Sequence, residues 1–341
     1  MKITFAALAT ITAFVLFTSC NNKKDQPDIS GIRVDLSIER FDKDLFAIDT
    51  NDLSASLQQL AQKHPAFYAD YMQQILGVSG NPADSNTVMV IKHFLNGYAT
   101  IQDTLAVVYQ NTDGLKKNIE EAFRYVKYYF PRYKTGHLIF FTGPFDAPGV
   151  ALTGSGLAIG LQQFAGKNFS VYQSPEAQEM FPLYISRRFD PAFIPANCMK
   201  AVVQDLFADK SAGKPLVEQM VEKGKQWWLL DKFLPETADS LKTGFTEAQL
   251  QWCKTNEGLI WSYIYTNEDL NSISPAVIQT YIGEAPFTQG LNNQESPGNI
   301  GQWIGWQILK KYASKHPEMK PADIMNMEAR KILEEAKYKP K

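Results

Sequence analysis

Hydrophobic and polar positions change rhythm several times along this chain. Ile32, Val34, Leu36 and Ile38 alternate with Arg33, Asp35, Ser37 and Glu39, the period of two expected of a half-buried strand. Over 52–76 the residues Leu53, Leu57, Leu60, Phe67, Tyr71 and Ile75 recur at helical spacing, with a bend or break at Pro65 and Gly77 placed as a C-cap. Asp84-Ser85-Asn86 predicts a helix start, with the helix running to about Tyr98. Asp113 is the expected cap of the next helix, over 113–130, with Leu115, Ile119, Phe123 and Val126 or Lys127 facing inward and Pro131 ending it.

The texture then becomes strand-like. The apolar run 137–142 is followed by a Gly/Pro loop, and two further runs, 150–153 and 157–161, flank Gly154-Ser155-Gly156. From Pro182 helices return: 198–208 with Val202, Val203, Leu206 and Phe207 inward, 216–230 after Pro215, and a long helix capped by Thr246 and running through Ile264. Shorter ones are expected over 275–282, 300–312 and 321–337. The fold class is therefore α+β, mainly α-helical with a small β-sheet. No linker marks a second domain, so 32–341 reads as one body.

The first twenty residues set the context. Lys2 precedes an apolar run over 3–17, broken only by three threonines, and then comes Leu16-Phe17-Thr18-Ser19-Cys20. The run has the length of a signal-peptide core and is shorter than the roughly 20 residues that span a bilayer. A small residue directly before a cysteine after such a run is the bacterial lipobox pattern. It predicts that 1–19 is a lipoprotein signal peptide, that the Cys20 thiol carries diacylglycerol, and that its freed amino group is acylated. Acyl chains at about 0.8 kcal/mol per buried methylene make a stable anchor. Residues 20–31 are expected to be a flexible tether between lipid and body.

Composition narrows the function. Lys plus Arg number 34 against 36 Asp plus Glu, so no basic field points to nucleic acid. Beyond Cys20 only Cys198 and Cys253 occur; behind a signal peptide they are either one disulfide or two buried thiols. His64, His93, His137 and His316 show no ligand spacing, and neither H-E-x-x-H nor G-x-S-x-G is present. Gly154, Gly156 and Gly160 miss the G-x-G-x-x-G spacing, which leaves a glycine-punctuated hairpin. Gly301 and Gly305 allow close helix packing, and 296–301 reads as a helix N-cap that offers amides to an anion at most. No catalytic residue, metal ligand or cofactor is assigned; Cys20 with its lipid is the one site residue.

Several runs together resemble the gliding-motility lipoprotein GldB family of the Bacteroidetes. They are Val-Asp-Leu-Ser-Ile-Glu-Arg-Phe-Asp at 34–42, Phe-Tyr-Ala-Asp-Tyr-Met-Gln-Gln-Ile-Leu-Gly at 67–77, Tyr129-Phe130-Pro131, and Ile-Gly-Leu-Gln-Gln-Phe-Ala-Gly at 159–166. Others are 220–225, 244–247, Gln251-Trp252, and Ser-Pro-Gly-Asn-Ile-Gly-Gln-Trp-Ile-Gly-Trp at 296–306. The resemblance implies a component of the gliding and associated secretion machinery, in the cell envelope and facing the periplasm, with envelope proteins as partners.

A fainter resemblance is to zincin-like metallopeptidases, whose order is strands, a metal helix, and then an E-G helix. Here the helix from Asn197 carries no histidine, and Lys223 rather than a glutamate precedes Gly224. A shared fold would have lost its metal. The expected protein is non-catalytic and acts by contact, with a residual cleft between the sheet edge and helix 198–208 that takes a peptide-like segment. The competing readings are a hydrolase with a non-standard site, such as Asp205 with Glu222, and an envelope lipoprotein that binds a glycan or nutrient.

Overall fold

The computed structural model describes residues 26–292 and 294–341. The signal segment, Cys20 and the first half of the expected tether lie outside them. Within the remainder of that stretch, Gln26, Pro27 and Ile29 are half-buried, and Gln26 Nε2 donates to Glu236 Oε1 at 2.5 Å.

A small mixed sheet divides the molecule. It comprises β1 (Ile38–Arg40), β2 (His137–Phe141), β3 (Val150–Thr153) and β4 (Gly156–Gly160), in the order β1-β2-β4-β3. The β1–β2 and β2–β4 pairs are parallel, while β3 lies antiparallel on β4 as the outer strand of a hairpin. Side chains of β2 and β4 feed two separate cores. Leu138, Phe140, Leu157 and Ile159 enter the larger one, whereas Ile139, Phe141 and Ala158 enter the smaller. Burial on both faces explains why these strands read as unbroken apolar runs.

The smaller core is closed by α1 (Phe41–Phe46), α2 (Leu53–Lys63), α3 (Pro65–Asp70), which runs into a π-turn at Tyr71–Ile75, and the first half of α4 (Ser85–Val108). The larger core takes the second half of α4 and α5 (Asp113–Tyr129). Two short helices follow, α6 (Pro175–Met180) and α7 (Leu183–Ser186), and then α8 (Ile194–Leu206) and α9 (Leu216–Phe233). The rest are α10 (Asp239–Thr243), α11 (Glu247–Thr255), α12 (Glu257–Asn267), α13 (Pro275–Ile282), α14 (Ile300–Lys315), α15 (Pro321–Asn326) and α16 (Ala329–Ala336). Helices make up 58% of the chain, so the protein is mainly α-helical α+β.

Several boundaries differ from the sequence expectation, each for a visible reason. Over 32–37 the alternation is present in burial, but the Leu36 N–H donates to Glu120 Oε1 at 3.0 Å instead of to a strand, so pairing begins only at Ile38. Helix α4 continues ten residues past Tyr98 because Ile101 and Leu105 carry its stripe across into the larger core. Its start is as expected: Asp84 accepts from the Asn86 and Thr87 amides, a cap that contributes about 1 kcal/mol. Asp113 is the first residue inside α5 and not its cap, a position Thr112 holds without a side-chain bond. Helix α8 starts at Ile194, four residues early, because Pro195 fits a first turn.

Two expected helices are each a pair. The stretch 246–264 breaks at Asn256, whose Nδ2 donates to the Trp252 carbonyl at 2.9 Å, and Gly258 then meets the Lys341 backbone. The stretch 321–337 breaks where Met327 and Glu328 turn extended, which frees the Met327 carbonyl to accept from Lys225 Nζ at 2.6 Å.

Candidate functional site

Between the outer strand β3 and helix α8 lies a cavity of about 370 Å³. One wall is Gly149 and Val150; the other is Asn197, Lys200, Ala201 and Gln204, spaced i, i+3, i+4, i+7 along one face of α8. The opposite faces of that helix carry Cys198, Met199, Val202 and Val203 into the larger core. The helix is thus held on the sheet by its apolar side while a mainly polar stripe lines the cavity. Phe164, Phe189 and Phe193 complete the lining. Phe189 stands edge-on to Tyr172 at 5.2 Å, and the Tyr172 hydroxyl both donates to the Gln162 carbonyl at 2.7 Å and accepts from the Ala165 amide at 2.9 Å. The floor is therefore rigid.

The charge of this cavity is unbalanced. Arg188 is spent on Glu284 through two bonds of 3.2 and 3.1 Å, and the same carboxylate accepts from Asn299 Nδ2 at 3.2 Å. Lys200 makes no salt bridge within 4.0 Å and no side-chain hydrogen bond among the described residues, so Arg188, Glu284 and Lys200 together carry a net positive charge. Burial, with Arg188 nearby, pushes the Lys200 amine down to about 8 from an ordinary 10.5, against a weaker pull from Glu284. Part of the Lys200 side chain still meets solvent at the cavity mouth.

A second cavity of about 510 Å³ lies at the far end of β3. It is lined by Leu152, Thr153 and Gly154 on one side and by Tyr133, His137 and Asp205 on the other. Burial first, and Asp205 second, push the Tyr133 phenol well up.

The candidates from sequence are placed as follows. Glu222 is buried between Lys214 at 2.8 Å and Lys225 at 3.0 Å, and it lines neither cavity. Asp205 and Glu222 are therefore not assembled into one site. Two of the four histidines, His64 and His137, share the Glu39 carboxylate, and the other two stand apart. His64 sits between Asp44 Oδ2 at 2.7 Å and Glu39 Oε2 at 3.3 Å, and His137 meets Ser37 and lies 3.5 Å from Glu39 Oε1. His93 bonds the Met89 carbonyl of its own helix, and His316 lies against Tyr312. No cluster of three or more His, Cys, Asp or Glu has metal-site geometry among the described residues. Cys198 and Cys253 are buried free thiols, each pushed far up by burial, which resolves the open choice against a disulfide. The stretch 296–300 is wholly buried, with Asn299 as a left-handed N-cap of α14, and Pro297, Gly298 and Asn299 line only a small cavity of about 10 Å³ with Arg187, Arg188 and Glu284.

Sequence reading placed a cleft at this sheet edge but missed its polar residues. The signal was available: Asn197, Lys200 and Gln204 form a polar stripe interrupted only by the small Ala201.

Fold and site together define a mainly helical α+β protein with a charged, aromatic-floored cleft. The family model described as gliding motility protein GldB matches residues 22–340, nearly the whole chain, and the chain belongs to that family. Neither a curated protein nor a solved structure matches it.

Proposed function

We propose that this chain is a lipid-anchored envelope component of the gliding-motility and associated secretion machinery, acting by contact with other envelope proteins and without catalysis. The observation that carries the reading is the family match across 22–340. The lipobox at Leu16-Phe17-Thr18-Ser19-Cys20 supplies the anchor. No helix among the described residues is long and apolar enough to cross a membrane, which suits a body held by acyl chains. The absence of catalysis is supported by the state of the candidate groups: Glu222 is neutralised by two lysines, and both thiols are buried.

The anchor is tested by labelling cells with an alkyne fatty acid. The wild-type protein incorporates label and Cys20→Ser does not; equal labelling of both removes the anchor. The non-enzyme reading is tested on the purified lipoprotein by metal analysis and a broad peptidase assay. Stoichiometric zinc, or turnover that survives purification, contradicts it.

A further inference from the structure

We propose that the trough between β3 and α8 receives an extended peptide segment that adds to the β3 edge, with a carboxylate of that segment paired to Lys200. This rests on the contact function above and names the chemistry of the contact.

The first observation is the hydrogen-bond phase of β3. The Gly160 amide donates to the Gly149 carbonyl at 2.9 Å, and the antiparallel register pairs Val150 with Ile159 and Leu152 with Leu157. In such a ladder, bonded pairs alternate with non-bonded ones, so Ala151 and Thr153 point their backbone groups at β4. Val150 and Leu152 point theirs away from it. No strand lies beyond β3, and neither residue makes any other hydrogen bond among the described residues. Two amides and two carbonyls thus stand open on a sheet edge, the template for strand addition.

The second observation is where α8 lies. Val150 and Leu152 share a sheet face with Ile159 and Leu157, the face that supports the larger core and α8. The helix packs on that face, and no strand or hydrogen bond occupies the edge among the described residues. Leu152 remains 40% exposed, an apolar side chain at the mid-point of the trough. Val150 and Gln204 line one cavity, and Leu152, Thr153 and Asp205 the other, so each end of β3 borders a cavity. The β3 edge is about 13 Å long at strand rise, enough for four residues of a partner.

The third observation is the charge along it. Lys200 stands unpaired at the Val150 end, and Asp205 stands at the Thr153 end. A segment running antiparallel to β3 sets an acidic side chain near its last residue beside Lys200 and keeps it away from Asp205. Glu284 cannot serve Lys200, since Arg188 and Asn299 already hold it. A carboxylate entering beside Lys200 offsets the burial and the Arg188 charge that disfavour its ammonium. Phe164, Phe189 and Phe193 take the apolar part of that side chain.

The test uses the mature lipoprotein in detergent and fluorescein-labelled hexapeptides of alternating Val and Ser. One set carries a Glu scanned through each position and the other a Gln. Anisotropy should show the best Glu peptide binding at least tenfold tighter than its Gln partner. Lys200→Met should remove that difference while Lys200→Arg keeps most of it. Val150→Pro, tolerated on an edge strand but lacking the outward N–H, should weaken both peptides. Thermal melts of each variant confirm that it is folded. Equal binding of the Glu and Gln sets, no binding at all, or a Lys200→Met that still discriminates would overturn the proposal. So would free glutarate competing as well as the Glu peptide, because that describes a small-anion site and not strand addition. The assay contains no cells, so its failure leaves the motility reading standing. A deletion strain that spreads normally would remove the motility reading without touching this result.

Discussion

Gly224 and Gly305 meet backbone to backbone. A Cβ added at Gly224 would lie 2.1 Å from the Gly305 carbonyl carbon, and one added at Gly305 would lie 1.7 Å from the Met220 carbonyl oxygen. Helices α9 and α14 cross at this point in the middle of the larger core, with Met220, Val221, Ile304 and Trp306 filling the space around it. The neighbouring atoms are backbone and cannot swing aside, so a methyl forces the helices apart. Gly224→Ala and Gly305→Ala should each cost about 1–3 kcal/mol or more, read as a lowered urea midpoint with little change in slope. An unchanged midpoint for both would mean that the helices do not cross so closely.

Glu222 lies on α9 between Met220 and Gly224, at that crossing, and is held by Lys214 and Lys225. The Lys225 side chain is only 3% exposed. Removing the carboxylate leaves that ammonium with the Met327 carbonyl as its one remaining partner. Glu222→Ala should therefore cost about 3–5 kcal/mol, and adding Lys225→Met should recover part of the loss. If Glu222 were instead a catalytic base, its replacement would spare folding.

The two thiols give a simple chemical check. Cys198 and Cys253 are buried and unpaired. In the native protein, without reductant, iodoacetamide should label neither. After unfolding in urea, still without reductant, it should label both, as read by intact mass. Protection that persists until a reductant is added would reveal a disulfide.

Acid should weaken the fold through identifiable pairs. Burial alone would raise the carboxyls of Asp209 and Asp239, but Lys223 at 2.5 Å and Lys242 at 2.9 Å outweigh it and hold both below the ordinary value. Each carboxyl binds its proton more weakly folded than unfolded. Their stabilisation is therefore full above the ordinary carboxylate pKa of about 4 and is lost as pH falls through the lowered values. Asp239→Asn should cost about 1–2 kcal/mol at pH 7, and the gap from wild type should narrow towards pH 2. A gap independent of pH would assign the loss to packing.

Legibility in the sequence followed the strength of local signals. Helix α13 has the expected bounds 275–282, opened by Ser274-Pro275, and the β3–β4 hairpin follows from Gly154-Ser155-Gly156 between apolar runs. The break at Asn256 was not legible, because Asn256 is neither proline nor glycine and the Lys341 backbone that approaches nearby Gly258 is distant in sequence. The break at Met327 was hidden for a similar reason: a carbonyl leaves the helix to meet Lys225, about a hundred positions earlier in the chain. The polar stripe of α8 was masked because a helix face turned into a cleft has the same residue pattern as one turned to water. Only the position of β3 shows which it is. The family, by contrast, was legible from short runs spread over nearly the whole chain, and the match over 22–340 places the chain in it.

The most direct measurement is colony spreading of a strain lacking this gene, with the surface-exported protein fraction scored alongside. The account predicts that spreading is lost, that the wild-type copy restores it, and that a Cys20→Ser copy restores it poorly because the body is no longer held at the envelope. Normal spreading and export in the deletion strain would contradict it.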